Sequence, residues 1–301
     1  MDPIAIALRG ILPPVLVAIV LGLGGHALAR RGRAAGSGAT VPLGVGLGFL
    51  GAQVTLVGLP ALSFDLEFIQ SLFPAAVALV CVAVAEALRR RPSPLWRWLL
   101  AAALPLWLLD FLWRGSHPMD HPLPLVGGLT VGMGLLLAAG SRLERAPGRH
   151  LASIPWIGVG VLSAATLHVS GSSTLGQLEG AWSAALATLW ALGRLASAVP
   201  LGRWGGGAAS LPLLGPGSTL VPLALHGSLL LGGVFAAELA PLQALLLAAA
   251  PLGPSLVRGG SRKGPSKLLW ALSLAWAFCL AAAALMLALG ARPEDPYGGY
   301  R

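Results

Sequence analysis

The sequence predicts an all-α, polytopic membrane protein with about ten transmembrane helices and both termini outside. Three observations carry that expectation. Of 301 residues 56 % are hydrophobic and only 10 % charged, with a mean hydropathy of +0.79, whereas a soluble domain of this length needs charge to cover its surface. Apolar runs of roughly 20 residues, enough to cross a hydrocarbon core about 30 Å thick, recur along the whole chain. The basic residues fall on alternate connections between those runs.

The runs cover residues 11–28, 41–62, 72–88, 95–113, 123–139, 154–169, 180–200, 220–237, 239–257 and 268–289. Helices are required, because lipid cannot satisfy backbone amides and the runs lack the alternation of a membrane barrel. The whole chain, 1–301, reads as one integral membrane domain. Two sets of five spans, in halves 1–140 and 150–290, would have opposite orientations, as in an inverted-repeat transporter.

Charge sets the orientation. Counting connections alternately, sixteen of the twenty Lys and Arg share one side, in the groups Arg30 to Arg33, Arg89 to Arg97, Arg142 to Arg149, Arg194 with Arg203, and Arg258 to Lys267. Nine of the eleven acids fall on the other side. The positive-inside rule then makes the basic loops cytoplasmic in a cell inner membrane and places both termini outside. Adding or removing one span would scramble this sorting. The net charge of +9 accordingly implies anionic lipid as the partner of the basic loops; no basic face with interleaved aromatics suggests nucleic acid.

The first run is not a cleaved signal, since Arg30, Arg31 and Arg33 follow its apolar core where a signal peptide has its charge in front. Pro13-Pro14 near its outer end removes helical hydrogen bonds and kinks the helix unless a neighbour compensates; Pro105, Pro222, Pro251 and Pro254 do the same later. The second and fifth spans carry the small-residue pairs Gly44/Gly48 and Gly128/Gly132, which let backbones approach closely inside the chain or in a homo-oligomer. Residues 63–68 read as a short interfacial helix. Trp96, Trp98, Trp156, Trp204 and Trp270 at the inner surface, with Trp113 and Trp182 at the outer, read as interface belts. Cys81 and Cys279 lie mid-span, with no disulfide and no metal spacing.

Polar residues are few. Asp110 precedes Arg114 by one helical turn, the spacing of an ion pair. His117, Asp120 and His121 follow in a proline-rich outer loop, and Thr174 with Gln177 has the form of a capping box. Asp110, His117, Asp120, His121, His168, Glu179 and Glu238 are therefore expected to gather around an outward-facing vestibule. Gln53, Thr130 and His226 are the mid-membrane candidates. No zinc, nucleophile-elbow, phosphate-loop or haem motif is present, so no catalytic residue, metal or cofactor is assigned.

Two functions fit best, a small-molecule carrier or exporter, or a structural or assembly subunit of a membrane complex; an intramembrane enzyme with none of the common motifs is a third. A carrier needs water to reach mid-membrane beside His226, Gln53 or Thr130; a subunit is packed solid there. For the orientation, single cysteines at Ser141 or Arg262 should react with an impermeant thiol reagent only after the membrane is opened, and those at Ser116 or Gly299 in intact cells. The reverse pattern would overturn it.

Overall fold

The computed structural model describes residues 3–30, 38–60, 67–91, 93–110, 122–145, 153–198, 215–256 and 267–291. Among the described residues the chain is entirely helical, with ten helices and no strand. They are α1 (Pro3–Arg30), α2 (Thr40–Leu56), α3 (Phe68–Arg89), α4 (Pro94–Leu108), α5 (Pro122–Arg145), α6 (Ser153–Val169), α7 (Ser173–Ala198), α8 (Leu220–Ala236), α9 (Pro241–Ala249) and α10 (Lys267–Gly290). α9 does not stop cleanly: a 3-10 turn, Ala250–Leu252, and a single helical turn, Gly253–Leu256, continue it. Four stretches are long and apolar enough to cross a membrane: Leu8–Leu28, Phe68–Arg89, Leu123–Glu144 and Leu268–Gly290. α2, α6 and α8 are apolar but only 17 residues long.

Contacts along three helix pairs fix their relative directions. Gly10 of α1 lies against Gln177 and Gly22 against Leu192, so α1 and α7 are parallel. Gly44 meets Leu189 and Gly48 meets Ala185, so α2 opposes α7. Gly232 meets Phe68 while Gly217 meets Ala83, so α8 opposes α3. The ends bearing Glu86, Glu144 and Thr219 therefore coincide, and Arg89, Arg90 and Arg91 place that end among the basic residues. A two-fold exchange of halves would map the α2–α7 and α3–α8 contacts onto themselves, but the extensive packing of α1 on α7 has no comparable counterpart between α6 and α2.

α8 is the core helix. Thirteen of its 17 residues are buried, as expected of a helix that is apolar all round, and α2, α3, α4, α5, α6, α7 and α9 enclose it. α2 is nearly as enclosed because its glycines let four neighbours in. A Cβ on Gly48 would lie 2.9 Å from the Pro14 Cα, and one on Gly46 would overlap Val80. The corresponding α5 pair is different: Gly128 and Gly132 have open space over them.

Outside, the bundle is apolar. Leu12, Leu16 and Val20 of α1, Leu106 and Trp107 of α4, Leu123 and Leu135 of α5, and Leu272 and Met286 of α10 are all exposed, far more than the scattered apolar residues of a soluble monomer surface. Trp182 and Trp156, expected in the interface belts, are instead core residues with 2 % and 1 % exposure. Cys81 and Cys279 are free and exposed on the apolar exterior.

Prolines sit where neighbours repair their damage. Pro13 and Pro14 lie within the unbroken α1; Pro13 has no N–H to offer Arg9 O, and the Thr55 hydroxyl of α2 comes within 2.9 Å of that carbonyl. α7 opens earlier than expected and without the Thr174/Gln177 box. Ser172 Oγ accepts from Leu175 N at 3.2 Å, after Gly171 at φ +99° ends α6 with Ser172 N–H donating to Leu167 O and Gly171 N–H to His168 O, the Schellman pattern. Gln177 is left to face Gly10 of α1. The 63–68 segment lies outside the described residues, apart from Glu67 and Phe68, the N-cap and first residue of α3.

Packing at the two glycine pairs sets a direct contrast. Gly48→Val drives side-chain atoms into the α1 backbone and should cost at least the 1–3 kcal/mol typical of overpacking, seen as lost monodisperse protein in detergent. Gly128→Ala should leave the melting temperature unchanged or raise it, since alanine is the better helix former by about 1 kcal/mol.

Candidate functional site

Two buried polar centres lie inside the bundle, one at the basic end and one at mid-depth. The first is built on Arg97, one turn into α4 and 3 % exposed. α3 ends with Arg90 in the left-handed region at φ 54°, where Arg91 N–H donates to Glu86 O and Arg90 N–H to Ala87 O. That turn brings Ser93 back so that its N–H donates to Glu86 Oε1 at 2.7 Å, and Pro94 then starts α4 at the position proline favours.

All five guanidinium N–H groups find acceptors. Nε and Nη2 donate to Glu86, Nη2 to Oε2 at 2.7 Å. Nη2 also reaches Glu144 Oε2 of α5 at 2.8 Å, and Nη1 donates to Leu137 O at 3.2 Å and Thr219 Oγ1 at 3.4 Å. Glu144 Oε1 in turn accepts from Thr219 Oγ1 at 2.7 Å and Thr219 N–H at 3.0 Å. A carboxylate thus caps the N-terminus of α8, where the helix dipole favours negative charge. Thr219 reaches this place because Gly217, at φ +83°, passes so close to Ala83 O of α3 that a Cβ would overlap it.

The second centre is Glu179 of α7 with His226 of α8, both with fully buried side chains. His226 Nδ1 lies 2.6 Å from Glu179 Oε1, and Nε2 lies 3.1 Å from Leu247 O of α9. That carbonyl is free for a reason legible in the chain: its helical partner would be the N–H of residue 251, and residue 251 is proline. The same broken turn offers Pro251 O to Trp156 Nε1 and Ala249 O to Trp276 Nε1. Trp182, one turn beyond Glu179, makes a T-shaped contact with the imidazole, ring centroids 6.1 Å apart.

Hydrogen-bond chemistry fixes the proton count of this pair. A carbonyl oxygen only accepts, so Nε2 carries hydrogen. The Nδ1–Oε1 contact then holds one shared proton, as imidazolium facing carboxylate or as imidazole facing carboxylic acid, and the pair is neutral either way. Beside it Glu179 Oε2 and Trp182 Nε1, and on α6 Ser163 Oγ, are buried without hydrogen-bond partners among the described residues. Ser163 stands at the level of Glu179: on the α6–α7 interface Ala164 meets Gly176 and Gly180, and Gly160 meets Ser183.

The expected outer vestibule is only partly described. Asp110 is half-buried at the end of α4, while Arg114, His117, Asp120 and His121 lie outside the described residues. His168 and Glu238 are exposed at the ends of α6 and α8. Glu179 does not join them; it is turned inward, two turns down α7. Of the mid-membrane candidates, His226 is in the pair, Gln53 is 1 % exposed and ties α2 to α3 by donating to Ile69 O at 2.6 Å, and Thr130 is half-buried on α5. Neither His226 nor Gln53 is open to water in this conformation. Sequence reasoning did not single out Arg97, Glu86, Glu144 or Thr219 as a site. A signal was present, since Glu86 and Glu144 are the two acids that break the charge sorting.

No protein-family model, curated protein or solved structure matches this chain. The class defined by fold and site is an all-helical bundle with an apolar exterior and ionisable groups sealed inside.

Removing one member of a buried ion cluster strands the others, at roughly 3–5 kcal/mol. Arg97→Ala should therefore lower the melting temperature in detergent more than any exposed-arginine control such as Arg142→Ala. Arg97→Lys should not restore it, because a point charge cannot span two carboxylates and two neutral acceptors. Equal stability of Arg97→Ala and wild type would refute the cluster's structural role.

Proposed function

We propose that this chain is a multi-pass inner-membrane protein of ten spans that acts as a small-molecule carrier, with Glu179 and His226 at the centre of its transport site. The carrying observation is the pair itself: two ionisable side chains, fully buried at mid-depth, fixed to a proline-freed carbonyl and flanked by unpartnered polar atoms. Ionisable residues inside membrane helices are costly and mark substrate or proton pathways, and a helix broken at the site is a recurring feature of carriers. The apolar exterior and the one-sided distribution of Lys and Arg support placement across a bilayer, with anionic lipid against the basic loops.

The alternative is a structural or assembly subunit without transport of its own, in which the pair clamps α7, α8 and α9. The sealed state of His226 and Gln53 favours that reading. The two separate by water access. With Cys81 and Cys279 replaced by alanine, Ser163→Cys should react with an impermeant thiol reagent from one face of right-side-out vesicles if the chain is a carrier, while Phe49→Cys in the packed core should not. Absence of reaction at Ser163→Cys from both faces, in folded protein, would leave the subunit.

A further inference from the structure

We propose that Glu179 and His226 form a proton-binding site at which the proton is exchanged for a monovalent cation. This deepens the carrier reading and rests on it. The shared proton makes the buried pair neutral. When it leaves, His226 keeps the Nε2 hydrogen on Leu247 O, and Glu179 becomes a carboxylate facing an imidazole lone pair across 2.6 Å.

Among the described residues no buried side chain beside the pair supplies the missing charge. Among the described residues, α2 and α9 carry no titratable side chain, and α3, α4 and α5 hold Glu86, Arg97 and Glu144 at the basic end, where Thr219 is about two helical turns from His226 along α8. α6 contributes His168, exposed beyond the opposite end of the site, and Glu238 is exposed after α8. α7 adds Arg194 and α1 adds His26, both far along their helices from the level of Glu179; Arg9 of α1 is nearer, next to the Gly10 that meets Gln177, but its side chain is exposed. A buried centre that must stay neutral then accepts one positive charge for the proton it gives up.

The vacant atoms suit a cation. Glu179 Oε2 is an unpartnered acceptor, and Ser163 Oγ, at the same level on α6, is a second. An anion would meet two unpartnered donors, Trp182 Nε1 and the Ser163 hydroxyl, but would face the Glu179 carboxyl and find no basic side chain except the imidazole. The exchange balances: the cation coordinates the carboxylate oxygens, one proton leaves to water, and the site stays neutral before and after.

The test uses the purified full-length chain in liposomes with a trapped pH-sensitive dye and an imposed gradient of Na+, K+ or guanidinium, the inorganic and organic arms separating the two kinds of cation. At least one should drive protons the opposite way, and Glu179→Gln should reduce that flux at least tenfold. The amide of that variant donates to Nδ1 as the acid form would, so its melting temperature should match wild type; His226→Gln provides a second variant with the same expected loss of flux. Proton movement with none of the three cations on wild-type protein overturns the proposal, as does exchange that survives in a folded Glu179→Gln. If Ser163→Cys is water-accessible and no cation exchanges, the cation site falls and the carrier stands; if it is sealed, both fall.

Discussion

A guanidinium buried in an apolar bundle must find an acceptor for every N–H, and the basic end of this fold is arranged to meet that requirement. Arg97 draws Glu86 from α3, Leu137 O and Glu144 from α5 and Thr219 from α8 onto one planar fork. Most of these contacts fix a helix end. The left-handed Arg90 turns the chain so that Ser93 reaches Glu86, Gly217 lets the strand of chain before α8 pass against α3, and Glu144 neutralises the first turn of the helix it caps. In a bundle with little hydrophobic drive between helices, such directed contacts and close backbone packing specify the arrangement.

A second constraint recurs at proline. Pro13 and Pro251 each deprive a carbonyl of its donor, and in each case a neighbouring helix places a polar side chain there, Thr55 at Arg9 O and His226 at Leu247 O. At these two prolines, helices are bonded to one another. At Pro251 the repair is made by an ionisable group, and that is where structural need and chemistry meet.

Much of the architecture could be read from composition and period. Helix existence and the close approach at Gly44 and Gly48 follow from apolar run length and small-residue spacing. The Gly128/Gly132 pair has the same spacing and nothing over it, because spacing says a face is smooth and not whether anything lies against it. Glu179 read as a rim residue because its neighbours in sequence are polar; helix α7 begins two turns earlier than the apolar run, at the Ser172 cap, and carries Glu179 into the core. His226 read as solitary because its partner is 47 positions away and its second acceptor is a backbone atom exposed by a proline. The Arg97 cluster was hidden by a rule that works: basic residues at that end were fully accounted for by topology, and only the two misplaced acids pointed to a use for one of them.

The short length of the central helices has a further effect if the bundle lies in a bilayer. α2 and α8, 17 residues each, span about 25 Å at 1.5 Å per residue, less than the hydrocarbon thickness of roughly 30 Å, while the peripheral α1 and α5 are 28 and 24 residues long. In that setting the apolar helices are shortest along the axis through His226. Membrane voltage, worth about 2.3 kcal/mol per elementary charge per 100 mV, would fall most steeply there, and a charge displaced by a few ångströms at that depth would sense more of it than the same displacement at the rim.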